Sequence, residues 1–153
     1  MGLRGTRRRA IFSRMDKIDA AKRSWTMSRV KGRDTAPERR VRSLLHAMGC
    51  RFRLQRADLP GKPDIVLPKH RAVIFVHGCF WHRHPGCKRA STPAANAAYW
   101  NAKFARNVER DAENRAALER AGWRVLVVWE CELKDLPALR SRLFAHFHPP
   151  VEP

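Results

Sequence analysis

The chain of 153 residues carries 32 lysines and arginines but only 14 aspartates and glutamates, a formal net charge of +18. Its length fits one domain, and a hydrophobic content of 44% excludes a disordered chain. No apolar run approaches the ~20 residues that cross a bilayer, and the basic N-terminus lacks the apolar core of a signal peptide. We therefore expect a cytoplasmic protein with no membrane partner, and the high charge favours nucleic acid as the partner.

The positive charge is concentrated at the N-terminus, where residues 1–33 hold 11 lysines and arginines and only two aspartates. We predict a basic, disordered tail over residues 1–15, with Met15 as an alternative start of the chain. A single domain is predicted over residues 16–148, and it begins with a helix over Lys17–Val30. A basic segment of this kind can lie along the phosphates of DNA.

The central part of the chain carries patterns for one helix, three short strands and a loop. Thr35 and Glu38 form a capping box with Pro37 in the first turn, which predicts a helix that ends at Gly49. Short apolar runs predict strands over residues 50–55, 64–67 and 72–76, with Cys50 as a packed core thiol. Residues 77–94 combine glycine, proline, histidine and cysteine without periodicity, which predicts a structured loop.

The C-terminal part of the chain predicts two helices around one strand. The first helix covers Asn96–Ala121, either continuous or broken near Arg106, and an amphipathic helix covers Leu136–Phe147. Between them, the apolar run Trp123–Trp129 predicts a buried strand with both tryptophans in the core. The element order α-α-β-β-β-loop-α-β-α predicts an α/β fold in which helices flank a mixed central sheet.

Cysteine and histidine lie close together in the loop after the third strand. Cys79, His84 and Cys87 have the spacing C-x4-H-x2-C, so one loop could surround a metal ion, and Cys131 could add a fourth ligand from a distance. Four protein ligands are typical of a structural zinc site. Two alternatives stay open from spacing alone: His82 could replace His84, and Cys79 and Cys131 could be ordinary buried thiols.

An acid opens the second predicted strand. Pro63-Asp64 precedes this strand, and the next strand ends in Ile74-Phe-Val-His77. This resembles the PD-(D/E)xK nuclease arrangement, in which groups on two strands share a divalent ion. Mg²⁺ takes oxygen ligands and keeps several waters, so one carboxylate with a backbone carbonyl and phosphate oxygens suffices. The usual second acid and lysine are absent, and a Pro-Asp pair by itself is common in turns.

Several separated strings together resemble the very-short-patch-repair (Vsr) endonucleases. They are RSWTMSRVKGRDTAPE (residues 23–38), PGKPDIVLPKHRAVIFVHGCFWHRH (residues 60–84), NVERD (residues 107–111) and GWRVLVVWEC (residues 122–131). The strings occur in the family's order, and the resemblance covers residues 16–142. It implies a restriction-endonuclease-like core with a structural zinc. It also implies nicking of the thymine strand at T·G mismatches, which arise when 5-methylcytosine deaminates.

The resemblance further implies roles for single residues of the active site. Asp64 and the main-chain carbonyl of Val76 hold catalytic Mg²⁺, His82 acts in proton transfer, and Asp111 orients His82. The residues that line the same site through water or phosphate are Glu38 and His77. The zinc ligands implied by the family are the four residues of the spacing argument: Cys79, His84, Cys87 and Cys131.

Contacts with DNA are implied in two regions. Phe80, Trp81 and Trp100 resemble the aromatic residues that enter the duplex at the mismatch. The expected partner is duplex DNA with a T·G mismatch, bound by a monomer that is functionally coupled to a cytosine-5 DNA methyltransferase. In the N-terminal segment, the residues assigned to DNA are Arg23, Met27, Arg29 and Lys31.

The aromatic residues have a structural alternative. Phe80 and Trp81 could be core residues that cover the zinc loop. Trp100 has Phe104 and Val108 at helical spacing, as a buried helix face would. On this alternative, truncating these side chains would affect folding and not DNA binding.

The acidic and histidine residues also have alternatives. Glu38 could serve only as the capping-box acid, Asp111 could pair with Arg110 or Arg115, and His77 could be a buried histidine. Two other functions therefore stay open. One is a non-catalytic zinc module that binds nucleic acid, and the other is a restriction enzyme that cuts sites without a mismatch.

Overall fold

The structure is a computed structural model that describes Ala21 and residues 32–151. The tail predicted over residues 1–15 and most of the helix predicted over Lys17–Val30 lie outside the described residues, as do Arg23, Met27, Arg29 and Lys31. Within the described part, the helices are α1 (Ala36–Ala47), α2 (Ala97–Arg120) and α3 (Leu136–Phe147). The strands are β1 (Arg53–Leu54), β2 (Ile65–Leu67), β3 (Ala72–His77) and β4 (Arg124–Trp129).

The four strands form one mixed sheet in the order β1-β2-β3-β4. The strand β2 is antiparallel to both β1 and β3, whereas β3 and β4 are parallel. A parallel pair needs a crossover connection, and the loop after β3 together with α2 provides it. The prediction of an α/β fold with a mixed central sheet flanked by helices is confirmed.

The sheet lies between two helical layers because successive side chains of a strand point to opposite faces. On one face, Ala72 and Ile74 of β3 belong to the larger core, which also contains residues of α1 and α3. On the other face, Val73 packs with Leu118 of α2. The half-buried Cys50 packs against the larger core, in agreement with its prediction as a packed thiol.

The two helices of the first layer begin at side-chain caps. At α1, the Glu38 N–H donates to the Thr35 hydroxyl oxygen at 3.4 Å. At α3, the Ala138 N–H donates to a carboxylate oxygen of Asp135 at 3.1 Å. Each cap satisfies one of the N–H groups that a helix leaves without an intrahelical partner. None of the described helices is long and apolar enough to cross a membrane.

The structure decides or corrects three sequence-based expectations about these elements. The helix α2 runs from Ala97 to Arg120 without a break at Arg106. The edge strand β1 is shorter than the strand predicted over residues 50–55, since only Arg53 and Leu54 pair with β2. The prediction that both strand tryptophans are core residues holds only in part. Trp123 and Trp129 are half-buried, Trp123 packs against the core beside α2, and the guanidinium of Arg71 lies 5.3 Å from the centroid of the Trp123 ring.

Candidate active site and metal centre

Asp64 lies just before β2, where the ladder between β2 and β3 ends. Since Ile65 pairs with Ile74, the N–H of Val76 extends beyond the paired residues of β2. This N–H donates to Asp64 Oδ2 at 2.8 Å. On the other side, Gln55 Nε2 donates to Asp64 Oδ1 at 3.3 Å. Each carboxylate oxygen therefore has one donor and keeps a lone pair for another ligand.

The surroundings of Asp64 disfavour its charge. The pKa of Asp64 is raised to about 6, chiefly by burial. The nearby charge of Glu38 also raises it, whereas the hydrogen bonds from Val76 and Gln55 and the proximity of His82 lower it. A divalent cation would stabilise two carboxyl groups in such a place. The donor set thus fits a hard cation such as Mg²⁺, with Asp64 as its carboxylate ligand.

Glu38 combines both of the roles considered from the sequence. It is only 5% exposed, and its carboxylate accepts from the Asp34 N–H at 2.8 Å and from the Thr35 hydroxyl at 3.2 Å. These contacts make it the acid of the α1 cap. The negative charge of Glu38 also raises the pKa of Asp64, so the start of α1 lies at the edge of the candidate site.

His82 and Asp111 form a closely spaced pair beside this carboxylate. His82 Nδ1 lies 2.5 Å from Asp111 Oδ2. The two arginines considered as partners of Asp111 make other contacts, Arg110 with Asn107 and Arg115 with Glu119. With Nδ1 bound to a carboxylate, Nε2 is the ring nitrogen left for proton exchange with a substrate.

His77 supports this pair from the end of β3. Its ring stacks on that of His82, with centroids 3.8 Å apart and planes inclined by 5°. Burial, with a smaller effect of His82, lowers the pKa of His77 to about 3, so this ring is neutral near pH 7. A neutral neighbour allows the His82 ring to take up a proton without facing a second positive charge.

The second group of ligand-type side chains consists of Cys79, His84, Cys87 and Cys131, which we call the thiol cluster. Their ligand atoms all lie within 4.8 Å of one another. His84 Nδ1 is 3.7 Å from Cys79 Sγ and 3.3 Å from Cys131 Sγ. The structure therefore brings His84 to the thiols, whereas His82 faces Asp111.

The local chain conformation explains how one loop brings these groups together. His84-Pro-Gly-Cys87 is a tight turn in which the Cys87 N–H donates to the His84 carbonyl at 3.3 Å. Proline suits the second position of such a turn, and Gly86 has the positive φ of 70° that its third position requires. The fourth member, Cys131, arrives from the 3₁₀-helix Glu130–Lys134, directly after β4.

The thiol cluster fits a tetrahedral zinc ion. Zn–S and Zn–N bonds of about 2.3 and 2.0 Å place neighbouring ligand atoms roughly 3.5–3.8 Å apart, close to the distances around His84. Burial raises the pKa of the Cys79 thiol to about 12 and also raises that of Cys131. A bound dication is what would convert such buried thiols into thiolates.

Comparison with known proteins identifies the family. A family model described as DNA mismatch endonuclease Vsr matches residues 15–89. The chain is 52% identical over 128 residues to "Type II nicking enzyme V.XorIIP" of Xanthomonas oryzae pv. oryzae (strain KACC10331 / KXO85), with 84% of this chain and 93% of that protein covered. It is 49% identical over 119 residues to "DNA mismatch endonuclease Vsr" of Escherichia coli (strain K12), with 78% and 76% covered. The chain belongs to the Vsr family.

Membership in the Vsr family confirms the resemblance seen in the sequence and the class of enzyme, an endonuclease. A solved structure, the homing endonuclease I-Bth0305I catalytic domain, matches with a TM-score of 0.55 at 22% identity, covering 78% of this chain and 100% of that chain. At this identity the match shows the fold alone. It confirms the restriction-endonuclease-like core predicted from the sequence.

The aromatic residues that the Vsr resemblance assigns to DNA form a small cluster beside α2. Trp100 is 0% exposed and Phe80 is also buried, both packed with Phe104, whereas Trp81 keeps part of its surface exposed. The alternative that Trp100, Phe104 and Val108 form one buried helix face holds only for the first two residues, since Val108 is 46% exposed. In this conformation Trp81 presents more of its ring than Trp100 or Phe80 does.

Three residues of this Vsr-family site were not singled out from the sequence. Gln55 was placed only in a strand, yet it donates to Asp64. Arg83 contacts the carbonyls of Ala90 at 2.5 Å and Ser91 at 3.3 Å, and so holds the loop closed. Trp129, expected in the core, stacks on His84 at 4.4 Å and meets His77 edge-on at 5.4 Å. The sequence held a signal for only one of these three residues, Trp129, because it lies shortly before Cys131, a predicted zinc ligand.

Proposed function

We propose that this chain nicks one strand of duplex DNA beside the thymine of T·G mismatches that arise from 5-methylcytosine deamination, which initiates very short patch repair. The observation that carries the proposal is the His82–Asp111 pair, with atoms 2.5 Å apart, beside the half-buried Asp64 carboxylate in a Vsr-family chain. A monomer acts on duplex DNA in this proposal, coupled functionally to a cytosine-5 DNA methyltransferase. The N-terminal segment with Arg23, Met27, Arg29 and Lys31 adds contacts to phosphates and bases.

The proposed chemistry is phosphodiester hydrolysis. Asp64, with the carbonyl of Val76, would hold Mg²⁺, which when bound activates water and neutralises charge on the attacked phosphate. His82 holds or moves a proton at Nε2 while Asp111 fixes the ring through Nδ1. Neutral His77 buttresses the ring by stacking, and Glu38 adds negative charge at the edge of the site.

We assign a structural role to the thiol cluster, with Zn²⁺ as its metal. All four ligands are protein side chains, and none of the coordination positions is left for a substrate. The loop that begins at Cys79 also carries His82, so a metal bound there would fix the backbone of the proposed proton-transfer residue. This role is consistent with the ion pair between Arg89 and Glu130, 3.1 Å apart, which ties the same loop to the end of β4.

Nicking of matched and mismatched duplexes tests the proposal against its two alternatives. Three duplexes that are identical except for T·G, T·A or C·G at one position are each incubated in two separate reactions, one with Mg²⁺ and one with EDTA. We expect Mg²⁺-dependent nicking of the thymine strand in the T·G duplex only. Cleavage of a fully paired duplex at least as fast as cleavage of the T·G duplex would indicate a restriction enzyme. Binding without cleavage of any duplex would indicate a zinc module that lacks catalysis.

Trp81 is expected to contribute to mismatch selection. A mispaired base costs less to unstack than a paired one, so a stacking side chain favours the mismatch. Trp81→Ala should lower the preference for T·G over T·A by about 1–3 kcal/mol in competition binding, the usual contribution of one stacking contact. Because Trp81 is only partly buried in the cluster, the variant should lose much less stability than a core truncation, and it should keep its nonspecific affinity for DNA.

Trp100→Ala is the matched control for this prediction. Because Trp100 is fully buried, its truncation should cost about 3–5 kcal/mol of stability. Thermal melts of both variants separate the two behaviours. If Trp81→Ala melts as early as Trp100→Ala and keeps the T·G preference per folded molecule, Trp81 is a core residue.

A further inference from the structure

Gln55 adopts a backbone conformation that is unfavourable for its residue type. Its φ of 50° lies in the left-handed region, where a side chain with a Cβ meets the following carbonyl. Glycine, or to a lesser degree asparagine, adopts this region at lower cost. Strained backbone of this kind is kept where the surrounding structure or the function requires the side chain at that place.

The strained conformation directs Gln55 to Asp64. The chain leaves β1 at Leu54, and the Gln55 N–H donates to the backbone carbonyl of Asp64 at 3.4 Å. From the same residue, the side-chain amide donates to Asp64 Oδ1 at 3.3 Å. Both the backbone and the side chain of Gln55 are thus directed at the acid that opens β2.

We propose that Gln55 is a positioning residue that fixes the orientation of the Asp64 carboxylate for a divalent cation. The inference rests on the proposed function, in which Asp64 is the Mg²⁺ ligand. The amide of Gln55 contacts the Asp64 carboxylate and acts through it.

The geometry gives the physical reason. The terminal torsion of an aspartate side chain is broad, so one hydrogen bond leaves the carboxylate free to rotate. The Val76 N–H holds Oδ2 at 2.8 Å, and the amide of Gln55 holds Oδ1 at 3.3 Å. Two donors from two different strand ends define the plane of the carboxylate, and the remaining lone pairs then point in fixed directions. Partners that orient a metal ligand in this way typically change metal affinity or activity by about 10–100-fold.

Two variants of Gln55 separate orientation from folding. Gln55→Gly removes the amide and relieves the left-handed strain, whereas Gln55→Met removes the donor at nearly the same length and keeps the strain. We expect both variants to need about 10–100-fold more Mg²⁺ for half-maximal nicking. The rate at saturating Mg²⁺ should fall much less, since the reacting groups are unchanged.

A direct binding measurement accompanies the nicking assay. Binding of Mn²⁺ to the complex with an already nicked product duplex, followed by electron paramagnetic resonance, should weaken by a similar factor in both variants. Asn96→Gly is the matched control, because Asn96 is also left-handed, with a φ of 56°, is exposed and makes no side-chain cap bond. This control should bind Mn²⁺ like the wild type.

Asp64→Asn in the same experiment distinguishes failure of the inference from failure of the proposed function. If Asp64→Asn binds Mn²⁺ poorly while both Gln55 variants bind it like the wild type, the positioning role is wrong and the proposed site stands. Early melting of both variants with unchanged Mn²⁺ affinity would show a purely structural Gln55, and would also overturn the inference. Wild-type nicking by Asp64→Asn would remove the proposed site itself.

Discussion

Replacement of Asp64 by asparagine is expected to abolish Mg²⁺-dependent nicking while binding of a T·G duplex stays nearly intact. An amide at this position lacks the negative charge that attracts Mg²⁺, and the described part of the chain shows no second acid bound to the Val76 N–H. Loss of the cation removes water activation and charge neutralisation together, so the loss of rate should be the largest of any single substitution. Single-turnover nicking of one T·G duplex, with binding measured in Ca²⁺, tests both parts.

The neighbouring substitutions should follow in a fixed order. His82→Ala is expected to slow nicking by about 10²–10⁴-fold, the usual range for one acid–base group. Asp111→Asn should cost less, because the amide oxygen can still bind His82 Nδ1 and only the orientation of the ring suffers. A rate for Asp111→Asn below that of His82→Ala would contradict the role given to the pair.

A stability measurement excludes unfolding as the cause of inactivity in Asp64→Asn. The folded-state pKa of Asp64, about 6, lies above the ordinary value of 3.8, so the folded protein holds this proton more tightly than the unfolded chain. The ionised carboxylate therefore costs stability, fully above pH 6 and not at all below about pH 4. In EDTA at pH 7 the variant should be more stable than the wild type, by up to about 3 kcal/mol. The gain should shrink as the pH falls from 6 to 4.

Replacement of Cys131 by serine is expected to destabilise the protein severely. Its Sγ lies 3.3 Å from His84 Nδ1, and it is the only member of the thiol cluster that follows β4 in the chain. Structural zinc contributes roughly 10–16 kcal/mol in small model sites, which is comparable to the whole stability of a typical domain, about 5–15 kcal/mol. Elemental analysis should find about one zinc per wild-type chain and much less in the variant, together with an early thermal transition.

Cys50→Ser is the matched control for this substitution. Cys50 is a half-buried free thiol that packs against the larger core, outside the thiol cluster. The control should retain zinc and lose only the modest stability of one packed side chain. Purified, active wild-type protein without zinc would contradict the assignment of the thiol cluster.

Local signals in the sequence predicted the helices and the thiol cluster well. The capping box at Thr35 and Glu38 marks the start of α1 because a cap depends on residues only a few positions apart. The same holds for Cys79, His84 and Cys87, whose spacing fits a single loop. Residues 136–147 were predicted as a helix with the bounds that α3 has.

Contacts between distant segments could not be predicted in this way. Gln55 reaches Asp64 only because β1 and β2 pair in a particular register, and no residue near Gln55 in the sequence indicates that register. Trp129 was assigned to the core from its apolar strand. Its true neighbours, His77 and His84, follow from the parallel pairing of β3 with β4, where His77 lies opposite Trp129. Burial of Trp100 depends likewise on how α2 meets the loop.

The spacing of His82 and His84 has a consequence for how the protein matures. Only Arg83 separates the proposed proton-transfer residue from the proposed zinc ligand, and consecutive Cα atoms are only about 3.8 Å apart. Trp129 contacts both His84 of the thiol cluster and His77 of the candidate active site, so one side chain joins the two sites. On the proposed assignment, a chain without bound zinc would lack the restraint on the loop that carries His82 and would position this histidine less precisely. In this proposal zinc binding precedes full nicking activity, so the metal-free chain would be a weaker nuclease.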